Sequence, residues 1–527
     1  MAGWTVALIC AFAAWAQESP AAKTPARTTA ETKKSEKDEA KNPTQEFLKS
    51  TVDLIPSATP GVQVTALTDA AELYGKEHKK EALALLQQAF QTAGGIPARP
   101  GREAGSTQAM VLVSMAGYDP SAAAELLGGL SPKARAFPLF AVVSQLIEEK
   151  QLEKAIATLE LHAMPEAYPY AAANMVLNQL AEDDPRRAQI FGAAASSFNS
   201  EADIQGFSQL LQSQWRKTPR VVVDPAVHRA VSTVLKMKRP DPMSVSKRTE
   251  KGAVTFDNET DADLFELMGA MQGVDPKGAR EILDSRPTLK AALERFPDGS
   301  SSMSGGGQGG MTMMQTRSGD STPSANVQEE MRLNAISDQI AAEALKLAAD
   351  NALEAVKKAK EIPLEKVKAS TLIQIAQAAA AKDAASADPA EAKSVLSQVE
   401  TELKGMKDPM SGAQNWAQLA EAAGKAGETE LADRAIDRGI ADCETLYKDD
   451  ANADDPNLAP KEYWPSLQSW RRVMVAAAAV RGLDAETLLT KVTDPDLLVM
   501  ARLAVLRGVM KKPIRGVNYA SSHRRER

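Results

Sequence analysis

Trp416-Ala417-Gln418-Leu419-Ala420, then Gly427-Glu428, then Ala432 and Ile436, decide how this chain folds. The apolar spacing on either side of Gly427 is that of one amphipathic helix, a tight turn and a second helix. A second stretch repeats the spacing with other letters: Leu139, Val142, Val143 and Leu146, then Lys150-Gln151, then Ala155 and Leu159. Helical hairpins recurring with a period in the thirties form a stacked array. Such an array does not need one large core, because each unit packs only on its neighbours, so 527 residues can extend it without limit. Composition agrees. Aromatics are only 5% of residues, Ala is abundant, and β-branched runs are few, which favours an all-α fold of closely packed helices.

Asp-Pro pairs recur at the starts of periodic segments: Asp119-Pro120, Asp184-Pro185, Asp224-Pro225, Asp275-Pro276, Asp388-Pro389 and Asp494-Pro495. An aspartate accepts hydrogen bonds from free N–H groups of a first turn. Proline just after it costs nothing, since its missing N–H would be unpaired anyway. Asp119 and Asp184 are 65 residues apart, about two units of this size, with Lys150-Gln151 between them.

The flanks and breaks divide the chain. Residues 4–16 are apolar, end in Ala14-Trp15-Ala16 and lack a preceding Lys or Arg. They read as a signal peptide, 1–16, too short to span a bilayer, so the chain is expected to be exported to a periplasm or outside the cell. The mature chain would keep Cys443 alone and form no internal disulfide. Residues 17–45 contain no Leu, Ile, Val, Met or aromatic residue and are expected to be a disordered tether. Helix pairs follow, beginning with 62–74 and 80–92. An N-terminal helical-repeat half is expected over 46–296, a disordered Gly/Ser/Met-rich linker over 297–326, a C-terminal half over 327–511 and a basic tail over 512–527. In the second half a single helical segment is expected over 328–359. The alternation at Val254-Thr255-Phe256 suggests a short hairpin or strand.

Trp416, Leu419, Ala420, Gly427, Ala432, Ile436 and small Gly439 resemble the tetratricopeptide-repeat pattern of large, small, turn-glycine, alanine and large positions. Windows at 66–90 and 139–163 resemble it more loosely and lack the glycine. The resemblance implies a right-handed stack of antiparallel helix pairs, a solenoid, with a concave face suited to a peptide or protein segment.

The net charge of −7 argues against nucleic-acid binding by the whole chain. Residues 216–251 nevertheless hold ten Lys and Arg against three carboxylates, and with the basic tail they offer a weak contact for anionic surfaces. The four histidines, His78, His162, His228 and His523, sit in no zinc-type spacing, and no nucleophile elbow or phosphate loop is present. Met303, Met311, Met313 and Met314 contain the soft thioethers that bind Cu(I), but a Met-containing linker explains them as well. Asp257, Glu259, Asp261 and Asp263 alternate like a calcium loop, yet Ala262 and Met268 stand where it needs Gly and Glu. Thr260 or Asp261 capping a helix accounts for them better. No metal or cofactor is therefore expected. The densest aromatic–basic cluster is Tyr463, Trp464, Trp470, Arg471 and Arg472. With Trp416 it supplies the candidate binding residues, each weighed against a plain packing role. The expected function is a non-enzymatic scaffold that binds a protein or peptide partner. The alternative is an envelope enzyme of helical superhelix or toroid type acting on polysaccharide, which would need convergent carboxylates or a Tyr/His pair.

Overall fold

The computed structural model describes residues 42–97, 105–199, 203–238, 243–249, 252–303, 311–316, 325–383, 389–452 and 460–514. The expected signal peptide, nearly all of the tether and most of the basic tail lie outside them. The chain opens with α1 (Pro43–Leu54), α2 (Pro60–Tyr74) and α3 (Lys79–Gly94). Next come α4 (Ser106–Ala116), α5 (Pro120–Leu126), α6 (Pro132–Glu148), α7 (Leu152–His162), α8 (Tyr170–Gln179), α9 (Pro185–Ser196), α10 (Ile204–Gln214) and α11 (Arg220–Lys236). Strands β1 (Met243–Thr249) and β2 (Gly252–Phe256) precede α12 (Glu259–Val274), α13 (Pro276–Asp284), α14 (Pro287–Arg295), α15 (Ser300–Met303) and β3 (Met311–Thr316). The chain continues through α16 (Ala325–Ala348), α17 (Ala352–Ala359), α18 (Glu365–Asp383), α19 (Pro389–Leu403) and α20 (Pro409–Lys425). It finishes with α21 (Thr429–Ala451), α22 (Pro465–Arg481) and α23 (Pro495–Val509).

The protein is a helical-hairpin repeat solenoid in two compact units. Their division differs from the expected halves: α4 to β3 form one unit, while α1–α3 join α16–α23 in the other. Within each unit a helix packs on its successor and on the helix after that. The rows α4-α6-α8-α10-α12 and α16-α18-α20-α22 result. In the discontinuous unit the stack continues from α22 to α23, then onto α1 and α2. The sequence pattern could not show this continuation, because the packing partners lie more than 400 residues apart.

Asp119, Asp184, Asp275 and Asp494 each cap a helix whose first residue is proline, as expected. A further pair, Asp408-Pro409, opens α20 in the same way. Asp224-Pro225 does not open a helix. Pro225 lies inside α11, which starts a turn earlier at Arg220, and Asp224 pairs with Arg220 at 3.5 Å. The stripe Val223, Ala226, Val227 and Ala230 already faces the core there, so burial outweighs the cost of a proline in the second turn. The calcium-like stretch opens α12, but Asn258 is the cap, accepting from Asp261 N, rather than Thr260 or Asp261. The segment 328–359 is two helices, because Asn351 starts α17 by accepting from Glu354 N.

The Gly/Ser/Met-rich stretch is also partly ordered. Residues 300–303 are helical, and 311–316 form the third strand of an antiparallel sheet of order β2-β1-β3. Val245 pairs with Phe256 on one side and Met314 on the other. An uncharged Met/Thr run beside the open edge of β1 gains a full ladder of backbone hydrogen bonds, an outcome composition does not reveal. Phe256 is buried against Phe265 of α12, rings 5.1 Å apart. Glu266, also buried, accepts from Lys247 of β1 and Ser300, so the sheet and α15 are fastened to the last helical layer.

Two buried arginines bind carbonyls at the ends of preceding helices. Arg187 is 2% exposed; its guanidinium donates to the carbonyls of Leu177 at 2.8 Å and Ala181 at 3.2 Å, and to Gln214 Oε1 at 2.7 Å. Arg135 does the same for Leu130 at 2.7 Å. These carbonyls lie in the last turn of a helix or just past it, so the charge meets their partial negative charge.

The two look-alike stretches share one backbone device. Gly427 has φ 76°, with Glu428 N–H bonded to Ala423 O at 2.9 Å and Gly427 N–H to Gly424 O at 3.2 Å. At the matching place Lys150 has φ 60°, with Gln151 N–H on Leu146 O and Lys150 N–H on Ile147 O. Both are left-handed helix ends with the paired 6→1 and 5→2 bonds. Lysine has a Cβ that disfavours this conformation, whereas glycine has none. Nothing lies within 4 Å of a Cβ placed at Gly427, so substitution there tests conformation alone. In urea unfolding followed by helical circular dichroism, Gly427→Ala is expected to lose about 1 kcal/mol and Lys150→Gly to gain about 0.5–1 kcal/mol.

Candidate interaction surface

The six candidate residues fall into three environments. Trp416 on α20 and Trp470 on α22 are 4% and 3% exposed, and Arg471 is 1% exposed. None of these three can anchor a ligand from the surface, which corrects that part of the sequence reading. The cause is helical geometry: α20 and α22 each have neighbours on several sides, so the apolar stripe widens until aromatic positions face inward. Arg471 is drawn inside by Asp69 of α2, its Nη2 lying 2.6 Å from Asp69 Oδ2.

Tyr463 and Trp464 are half-buried, the first ending and the second following the short turn of helix Lys461–Tyr463. Trp464 meets Tyr447 of α21 edge-on, rings 5.9 Å apart, and Lys461 Nζ lies 5.6 Å from the Trp464 ring. The same ammonium sits 2.6 Å from Asp494 Oδ2 and 2.9 Å from Asp496 Oδ2. The Tyr447 hydroxyl donates to Asp494. Burial, helped by Asp494, pushes the Tyr447 phenol up to about 12. Burial would raise the Asp494 carboxyl, but its bonds from Lys461 and Tyr447 outweigh this and hold it lowered. Sequence reading found Tyr463 and Trp464 but missed neighbouring Lys461, and it missed Tyr447 and the aspartates, which are distant in sequence. The Asp494 cap of α23 was the one visible signal.

Arg472 alone of the six is exposed, and it donates to Gln414 Oε1 of α20 at 2.5 Å. This bond links the outer faces of two neighbouring row helices. Middle turns of the row expose mainly neutral groups: Ser370, Gln374 and Gln377 on α18 and Gln414 on α20, with Gln418 half-exposed. Along α19 runs a shallow concavity of about 510 Å³, lined by Lys393, Ser394, Ser397, Gln398 and Thr401 among others. Lys393 is paired with Glu428, so hydroxyls and amides dominate its chemistry as well.

Other expected features keep to structural roles. Cys443 is fully buried, and burial raises its thiol well above the ordinary range, away from reactivity. His162 ends α7 nearly buried, with its pKa lowered by burial and by Arg135. In the basic stretch Arg216 pairs with Asp298, while Lys247 pairs with Glu266. Among the described residues no three His, Cys, Asp or Glu side chains stand together as a metal site requires, and no helix is long and apolar enough to cross a membrane.

No protein-family model and no curated protein matches this chain. A solved structure described as a circular tandem repeat protein with novel repeat topology and enhanced subunit contact surfaces aligns over 89% of this chain and 97% of its own. The identity is 11% and the TM-score 0.19, too low to carry an argument. The class, a helical-hairpin repeat protein, rests on the packing described above.

Two measurements separate these environments. Trp470→Ala is expected to cost about 3–5 kcal/mol, seen as a fall in melting temperature, whereas exposed Arg472→Ala leaves melting unchanged. Because the Tyr447 pKa is raised on folding from 10.0 to about 12, its contribution is whole below pH 10 and is lost as pH rises toward 12. Tyr447→Phe is expected to remove that alkaline loss from the denaturation midpoint plotted against pH.

Proposed function

We propose that this protein is an exported, non-enzymatic scaffold that holds a protein or peptide partner along the row α18-α20-α22. The observation that carries the reading is the set of exposed neutral groups on the row, Ser370, Gln374 and Gln377 of α18 and Gln414 of α20, the last bonded to Arg472 of α22. Side-chain amides offer both a donor and an acceptor, which is what an extended main chain needs on each residue. Many shallow contacts of this kind bind through summed complementarity rather than one deep pocket. The tetratricopeptide-like pattern around Trp416 supports the same reading, since that family resemblance implies a peptide-holding concave face. Export is supported by the apolar stretch ending at Ala14-Trp15-Ala16, and Tyr463 and Trp464 extend the accessible surface at the end of α22.

The test is affinity capture from the native envelope with the full-length protein and a Gln374→Ala/Gln414→Ala/Arg472→Ala variant. The same polypeptide should come down with the wild type and fall about tenfold with the variant, while melting stays unchanged. Equal recovery by both proteins would overturn the assignment of these groups.

A further inference from the structure

We propose that α1–α3 are a transferable cap: they dock on the α22–α23 end of their own unit and can dock equally on that of a second copy of this chain. In the single chain the cap is a complete interface. Val62, Ala66, Leu67 and Ala70 of α2 are all buried to 1% exposure or less, and α1 and α2 both lie on α23. Polar ties surround this apolar contact. Asp69 is shared by Arg471 at 2.6 Å and Arg507 at 3.0 Å, and Glu72 also holds Arg507, at 2.6 Å. Thr59 N–H donates to Asp496 at 2.6 Å, Arg502 donates to Ser50 at 2.8 Å, and Lys512 donates to the Glu72 carbonyl at 2.7 Å.

The covalent link between cap and stack is remote. Leaving α3, the chain runs through the whole α4–β3 unit before it enters α16. The α4–β3 unit is thus a folded insertion between the cap and its stack, and no short linker ties the two together. A cap from a second copy presents the same residues to the same surface, so exchange leaves no contact unmade. Two copies exchanging caps reciprocally satisfy both seams, and the assembly closes as a dimer. The balance between closed monomer and exchanged dimer is therefore set by protein concentration.

The buried charges allow a complementation test on the full chain. Asp69→Ala leaves Arg471 without its carboxylate, and Arg471→Ala leaves Asp69 short of one guanidinium, so each variant alone is destabilised. In an exchanged pair made from one copy of each, one seam has both wild-type residues. The other has neither, and there Arg507 keeps Glu72. The two variants are to be unfolded in urea, mixed one to one, refolded at high concentration and sized by light scattering on a column. The expected result is a dimer fraction about tenfold above that of either variant refolded alone, with a higher melting temperature. The Asp69→Ala/Arg471→Ala chain, with both charges gone, should recover melting as a monomer and so shows that the single variants fail through the unpaired charge. A mixture that stays monomeric, or dimers that form equally in each variant alone, would overturn the proposal.

Discussion

One buried carboxylate holds the two ends of this chain together. Asp69 lies in α2 with its oxygens divided between Arg471 of α22 and Arg507 of α23, all three side chains nearly inaccessible to water. Burial pulls the Arg507 pKa down, but Asp69 and Glu72 outweigh it and leave it raised. Charges in such a place are tolerable only as a satisfied group, so they impose a docking register more than they add net stability. Apolar packing of α2 against α23 could slide by a turn. The ion network favours the register in which Asp69 meets both Arg471 and Arg507 while Glu72 also holds Arg507.

That constraint shapes the rest of the discontinuous unit. With α1 and α2 laid over α23, the exposed end of the stack is covered, a general requirement of solenoids. It also fixes the N-terminus of α23, where Asp494 and Asp496 hold Lys461 and Asp496 receives Thr59 N–H. Tyr447 and Trp464 are gathered around the same ammonium, so the aromatic cluster near residue 464 belongs to the architecture of this end. The row face of α18, α20 and α22 exposes neutral hydrogen-bonding groups, Ser370, Gln374, Gln377 and Gln414.

The other unit solves similar problems by different means. Arg187 and Arg135 bind carbonyls at helix ends, Lys150 takes a left-handed turn, and a three-stranded sheet follows the helical row and packs on α12. The repeats are thus alike in backbone and unlike in sequence, which is why the stretch near Leu139 shows the helix spacing without the glycine.

The sequence by itself determined the mainly helical class, the capped starts at Asp119, Asp184, Asp275 and Asp494, and the hairpin around Gly427. All of these depend on contacts within a few residues, where periodicity and backbone chemistry are visible. It also named Tyr463, Trp464 and Arg472 as candidates, undivided from Trp416, Trp470 and Arg471, and read Val254-Thr255-Phe256 as a short hairpin or strand. Only the tertiary structure decided that Trp416, Trp470 and Arg471 face inward, that Met311–Thr316 pairs with β1, and that α1–α3 belong with α16–α23. Each of these depends on what another segment brings to the same place. A tryptophan on an amphipathic helix reads the same whether its face meets a neighbour or water, and Asp69 shows no sign in its own surroundings of arginines 402 and 438 residues away.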